Sequence, residues 1–237
     1  IGYSTAAFPD RILKTRPFIP LLLSLLILPG FFWQIPLDQG QNPIQLSSVQ
    51  VGLFPEYYRP AMLVVVNIEL SRESPNPKML TFQIPADSES LSVTQRITEG
   101  EKTLVDYEVT EGSKWQDLHF STDAQDLQIE YYDPNLAKEG DHRFYDYQWL
   151  SIYDVEKLSL TVRQPFGAGE IQADPPLGSG ETGPDDAIYS THKAGSVPAG
   201  ELFKLSLIYT KDIGNLDYPA LEAEPAAPVS DATPGRT

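Results

Sequence analysis

Six stretches of this chain alternate apolar and polar residues with a period of two. Met62 to Leu70 puts Val64, Val66, Ile68 and Leu70 on one face, with Asn67 and Glu69 on the other. Leu80, Phe82 and Ile84 alternate with Thr81 and Gln83 before Pro85 ends the run. The same pattern holds for Val105, Tyr107 and Val109, for Leu127, Ile129 and Tyr131, for Leu158, Leu160 and Val162, and for Phe203, Leu205, Leu207 and Tyr209. Successive side chains of a strand point to opposite faces, so this period marks a strand with one buried face. Weaker candidates are 44–54, 91–97, 115–120, 144–150, 170–173 and 188–192. Turn-forming clusters separate the runs, among them Ser74-Pro75-Asn76-Pro77, Asp133-Pro134-Asn135 and Glu139-Gly140-Asp141. About a dozen short strands joined by such turns predict an all-β chain, an antiparallel sandwich of immunoglobulin-like or jelly-roll-like kind. Only Leu136 to Glu139 reads as a single helical turn. A boundary near Gly140, giving two smaller sandwiches, is an alternative to one.

One segment breaks the pattern. Pro17 to Pro36, PFIPLLLSLLILPGFFWQIP, carries no charge, and between Phe18 and Ile35 only Ser24 and Gln34 are polar. A helix of that length spans roughly 27 Å, close to a bilayer's hydrocarbon core of about 30 Å. Arg11, Lys14 and Arg16 precede it, and the chain after it is acidic. The positive-inside rule then puts residues 1–16 in the cytoplasm and everything after the helix outside. Phe31, Phe32 and Trp33 suit the outer interface. The basic start and apolar run also fit a cleaved signal peptide, which would leave a secreted protein, but no A-x-A cleavage pattern follows. A buried core helix is a third reading. The expected organisation is a basic N-terminus (1–16), an anchor or signal segment (17–36), a polar spacer (37–43) and an extracytoplasmic β-domain (44–219). A Pro/Ala-rich tail (220–237) follows, whose composition predicts disorder.

Charge narrows the partners. The chain holds 17 Lys and Arg against 33 Asp and Glu, a net charge of −16. All but three of the basic residues and all but one of the acidic ones follow the apolar run. Such a surface repels phosphate backbones, so no nucleic-acid partner is expected. Cysteine is absent, which removes disulfides, thiolate metal sites and cysteine nucleophiles.

No constellation announces a reaction. His119, His142 and His192 lie in separate segments without metal-ligand spacing, and no G-x-S-x-G elbow occurs. No catalytic residue, cofactor or enzymatic activity is expected. The acidic loop 174–186 offers Asp174, Glu181, Asp185 and Asp186 as weak Ca²⁺ ligands, without EF-hand spacing, and reads more simply as solvated. Tyr145, Tyr147, Trp149 and Tyr153, with Asp146 among them, form the densest aromatic group and the candidate ligand-binding residues. Exposed rings there would stack on sugars while Asp146 accepted hydroxyl hydrogen bonds. Buried, Tyr145, Tyr147 and Trp149 would fill the core of one strand.

With the anchor, the segments LFPEYYRPAMLVVVNIEL, LQIEYYDPNL and LSLTVRQPFGAGEIQADPP make the chain similar to uncharacterised bacterial exported β-sandwich proteins held to the membrane by terminal helices. That resemblance covers Leu53 to about Thr210, implies a second membrane helix at the C-terminus and brings no activity or site residue. The expectation is a single-pass, membrane-anchored, extracytoplasmic domain that binds or assembles at the cell envelope. Its partner would be an envelope protein or a glycan. A carbohydrate-binding module and an accessory subunit of a membrane complex are the alternatives.

Overall fold

The computed structural model describes residues 43–98, 101–212 and 214–218. The expected cytoplasmic start, the apolar segment 17–36 and the tail 220–237 lie outside the described residues. Among those described there is no helix, and none long and apolar enough to cross a membrane. The chain is all-β. Its strands are β1 (Gln45–Pro55), β2 (Met62–Leu70), β3 (Lys78–Pro85), β4 (Glu89–Thr98), β5 (Glu101–Leu104), β6 (Tyr107–Thr110), β7 (Trp115–Thr122) and β8 (Asp126–Asp133). There follow β9 (Ala137–Glu139), β10 (His142–Leu150), β11 (Asp154–Arg163), β12 (Gln172–Asp174), β13 (Glu181–Thr182), β14 (Ile188–Val197) and β15 (Leu202–Thr210).

They form three sheets. An eight-stranded sheet runs β13-β14-β11-β1-β2-β8-β4-β5, a four-stranded one β12-β15-β10-β9, and a three-stranded one β3-β7-β6. The pairing is antiparallel except between β1 and β11, which run parallel from Gln45 beside Asp154 to Leu53 beside Val162. This departs from the fully antiparallel expectation. The two strands are joined by the long run of strands β2 to β10 and not by a hairpin, and a parallel pair needs such a long connection. By joining β2 on one side and β11 on the other, β1 ties the two halves of the sequence into one sheet across the boundary proposed near Gly140.

Five of the six period-two runs are buried where the pattern placed them. Val64, Val66, Ile68, Leu80, Phe82, Ile129, Leu160, Val162, Leu205 and Leu207 belong to one hydrophobic cluster fed by all three sheets. Leu160 and Leu205 are wholly inaccessible. At roughly 25 cal/mol per Å² of apolar area buried, each such side chain stabilises the fold by about 1.5–3 kcal/mol.

Two local expectations are corrected. Leu136 to Glu139 is not a helical turn, since Ala137–Glu139 is a strand paired with the start of β10. A two-residue hairpin turn, Gly140-Asp141, closes that pair, and Gly140 takes the positive φ of 64° that such a turn needs at its first central position. The alternation around 105–109 marks a strand whose face is only partly covered. Val105 is buried, but Tyr107 and Val109 are each 38% exposed, because β6 is the outer strand of the three-stranded sheet.

Candidate functional site

The chain-order neighbours of β10 leave part of it unpaired. Strand β9 is three residues long and pairs only with His142, Arg143 and Phe144. On its other side β10 is paired with β15 along its whole length. The hairpin fixes which backbone groups point which way. Glu139 and His142 flank a two-residue turn and so form a hydrogen-bonded pair, and N–H and C=O of a residue lie on the same edge of a strand. The even-numbered residues of β10 therefore face the β9 edge, and the odd-numbered ones face β15. Continuing the odd series, Ser151 N donates to Glu201 O at 3.0 Å and Ser151 O accepts from Gly200 N at 2.6 Å. Beyond Phe144, the N–H and C=O of Asp146 and Gln148 thus lie on an edge with no partner strand among the described residues.

The three-stranded sheet also presents an open edge, that of β3, and β3 and β10 approach each other there. Ala86 N donates to Lys114 O at 3.1 Å, so the even-numbered residues of β3 face β7 and the odd-numbered ones face outward. Thr81 N, one of the outward groups, donates to the Tyr153 hydroxyl at 2.7 Å. Tyr153 also sets its ring edge-on to Phe82, 5.8 Å between centroids. It is a half-buried plug on the β3 edge.

Past this plug, a cleft of about 430 Å³ opens between the end of β3 and the free part of β10. Pro85, which ends β3, and Asp87 form one wall with Lys114 and Trp115 from the start of β7. Asp146, Tyr147 and Gln148 form the other. Asp133 and Asn135, from the connection between β8 and β9, close one end. Asp133 is 4% exposed and fully engaged. Its Oδ2 accepts from the Tyr145 hydroxyl at 2.8 Å, and its Oδ1 accepts from Asn135 N at 3.0 Å and Asn135 Nδ2 at 2.8 Å. Asn135 Nδ2 also donates to Asp87 at 2.9 Å. Asp146 Oδ1 accepts from the Ser206 hydroxyl at 2.6 Å. Lys114 lies over the half-exposed Trp115 ring, 5.6 Å from its centroid, and donates to Gln148 Oε1 at 3.2 Å. The cleft thus carries three carboxylates against one ammonium.

Of the residues expected to bind ligand, Asp146 and Tyr147 line this cleft. Tyr145, Tyr147 and Trp149 are core residues, 2%, 2% and 5% exposed, so their rings form no flat platform for a sugar. Burial pushes the Tyr145 and Tyr147 hydroxyls well above their ordinary pKa, helped by the nearby Asp133 charge, so both stay protonated. The weak Ca²⁺ candidates do not converge. Asp174, Glu181 and Asp186 are exposed, and Asp185 accepts from Arg163 Nε at 2.8 Å. Among the described residues, no three acidic or histidine side chains are grouped to hold a metal.

A second constellation was not visible in the sequence. Glu56, in the turn after β1, is inaccessible to solvent and has a φ of 50°. Its carboxylate meets Lys138 Nζ at 2.8 Å, Arg143 Nε at 3.3 Å, Lys211 Nζ at 3.5 Å and the Tyr209 hydroxyl at 3.3 Å. Burial alone would raise the Glu56 pKa, but the hydrogen bond from Lys138 and the charges of Lys211, Lys138 and Arg143 outweigh it and hold the carboxyl below its ordinary value. Lys211 leads on to Asp217, and Asp217 to Arg163, which Asp185 also binds. The segment holding Asp217 is laid on the turn by main-chain bonds, Asp217 N to Glu56 O at 3.1 Å and Tyr218 N to Tyr57 O at 2.9 Å. Tyr57, Tyr58 and Tyr218 cluster there, and Arg163 sits 5.1 Å from the Tyr57 ring centroid. The charges pair across segments far apart in the chain, although Lys211 Nζ lies only within ion-pair distance of Glu56 and Asp217 and makes no hydrogen bond among the described residues, so this network is a clamp holding the end of the β-domain to its first turn.

No family model matches the chain, and no curated protein matches it in sequence. Among solved structures, an M1 zinc metallopeptidase from Deinococcus radiodurans is similar with a TM-score of 0.41 and 12% identity, over 72% of this chain and 43% of that one. A protein from Parabacteroides distasonis described as a putative protease is similar with a TM-score of 0.36 and 10% identity, over 72% of this chain and 41% of that one. The chain thus spans under half the length of these structures.

Proposed function

We propose that this chain is a membrane-anchored, extracytoplasmic binding module of the cell envelope, with its eight-stranded sheet stacked on the other two as a β-sandwich. The observation that carries the binding role is the cleft between the free edges of β3 and β10, walled by Trp115, Lys114, Asp87 and Asp146. Two sheet edges left open toward the same space form a site where main-chain groups and mixed side chains converge. The anchor and the outside location rest on the apolar run 17–36 and its one-sided basic flank. A glycan is the second reading, favoured by the half-exposed Trp115 ring beside carboxylates and amides, although Lys114 covers part of that ring.

The absence of cysteine makes a direct test simple. Lys114→Cys in the cleft and Lys193→Cys on exposed β14 are introduced singly into the full chain. A membrane-impermeant maleimide should label Lys193→Cys in intact cells, and labelling only after permeabilisation would sink the outside location. Lys114→Cys should react several-fold more slowly in cells than in the purified full chain, while Lys193→Cys reacts equally in both. Equal rates for Lys114→Cys in the two settings would show an unoccupied cleft and refute the binding role.

A further inference from the structure

We infer that the cleft takes an extended peptide segment bearing a basic residue, added as a strand to the free edge of β10. The inference rests on the binding role of the cleft and names the ligand chemistry. The main-chain N–H and C=O of Asp146 and Gln148 lie on the edge that β9 leaves uncovered after Phe144. A strand edge with unpaired groups is a template for another strand, and main-chain bonds then supply much of the affinity. From Asp146 to Leu150 that edge runs about 13 Å at roughly 3.3 Å per residue, enough for a short extended segment. Charge selects the segment. Asp87, Asp133 and Asp146 outnumber Lys114 at the cleft, and the whole chain is acidic by 16 charges. Asp146 uses only Oδ1 on Ser206, which leaves Oδ2 for an incoming cation. A sugar is the poorer fit, because Lys114 lies on the one half-exposed ring and Tyr145, Tyr147 and Trp149 are in the core. The other end of the gap is already stopped by Tyr153 on Thr81 N, so a peptide would lie along β10 from the cleft rather than fill the whole space between the sheets.

The probe is a fluorescein-labelled, capped heptapeptide of alternating threonine and valine with one central lysine. It is titrated by fluorescence polarisation against the full chain in detergent. Saturable binding is expected, and replacing the lysine by glutamate should weaken it at least about ten-fold. Two further peptides are N-methylated, one on the odd-numbered amides and one on the even-numbered. Only one set of amides faces β10, so one methylated peptide should lose at least about ten-fold in affinity. In the protein, Gln148→Pro removes an edge N–H that no other strand uses, and prolines are tolerated at such positions. It should weaken binding by a similar factor. Should that variant fail to fold, the methylated pair still decides. If both methylated peptides bind like the parent, recognition is not by strand addition and the inference falls. It also falls if no lysine peptide saturates. A chitohexaose titration separates the two levels. Sugar binding that is lost in Trp115→Ala, with the peptides silent, overturns the peptide while leaving the cleft as a binding site.

Discussion

Glu56 shows how one residue acquires a role that its neighbours in sequence do not announce. In the run LFPEYYRP it looks like an ordinary solvated turn residue. In the fold it is inaccessible, in a left-handed backbone conformation, and met by Lys138, Arg143 and Lys211. Removing one partner of a buried ionic group leaves the others uncompensated, which typically costs 3–5 kcal/mol. Glu56→Gln should therefore lower the unfolding free energy of the full chain by about 3–5 kcal/mol in urea. Glu139→Gln, on exposed β9, should change it by about 0.5 kcal/mol or less. Equal effects would show that the network carries no stability. The same carboxyl predicts the acid limb. Its pKa in the fold lies below the ordinary value of 4.5, so its stabilisation is fully present above that pH and is lost as pH falls through the folded pKa. The wild-type chain should lose stability steeply below about pH 4.5, and Glu56→Gln should lose less over that interval. Parallel acid curves for the two proteins would remove Glu56 as a cause.

At the scale of the element, β10 carries most of the functional argument. Its side-chain alternation was readable, with Tyr145, Tyr147 and Trp149 inward and Asp146 and Gln148 outward. Its hydrogen-bond parity was not, because parity depends on which strands lie alongside. The two-residue turn at Gly140-Asp141 sets it. The consequence is measurable by native-state hydrogen exchange of the full chain. The amides of Tyr145, Tyr147 and Trp149 should exchange slowly, and those of Asp146 and Gln148 roughly 100-fold faster or more. The reverse order would invert the parity and remove the main-chain half of the cleft. Strand β6 teaches a related lesson. Val109 and Tyr107 follow the same period as the core strands but lie at an outer edge, where the face that the pattern marks as buried is only partly covered.

The whole molecule is held together by β1. It pairs antiparallel with β2 from the N-terminal half and parallel with β11 from the C-terminal half, so the halves share one sheet and one hydrophobic cluster. The clamp of Glu56, Lys211, Asp217 and Arg163 adds a second tie, from the first turn of the domain to its last described residues. Calorimetry of the full chain should therefore show one cooperative transition for the β-domain. Two separable transitions, with residues on either side of Gly140 melting independently, would mean that the shared sheet does not couple the halves.

Period-two alternation, turn residues and the acidic balance are local properties, and they were enough to determine an all-β chain and most of its core, from Val64 to Leu207. A strand buries one face whatever lies beside it, so burial leaves its mark on the run itself. The partner strands, the single parallel pair and the open edges were decided by tertiary structure, because a central strand and an edge strand are written in the same alternation. The cleft joins Pro85 and Asp87 to Trp115, Asn135 and Asp146, and the clamp joins Glu56 to Lys138, Arg143, Lys211 and, through it, Asp217. In the sequence each of these is an isolated polar, charged or turn residue. They become sites only where folding removes the water between segments far apart along the chain and leaves their charges and unpaired main-chain groups facing one another.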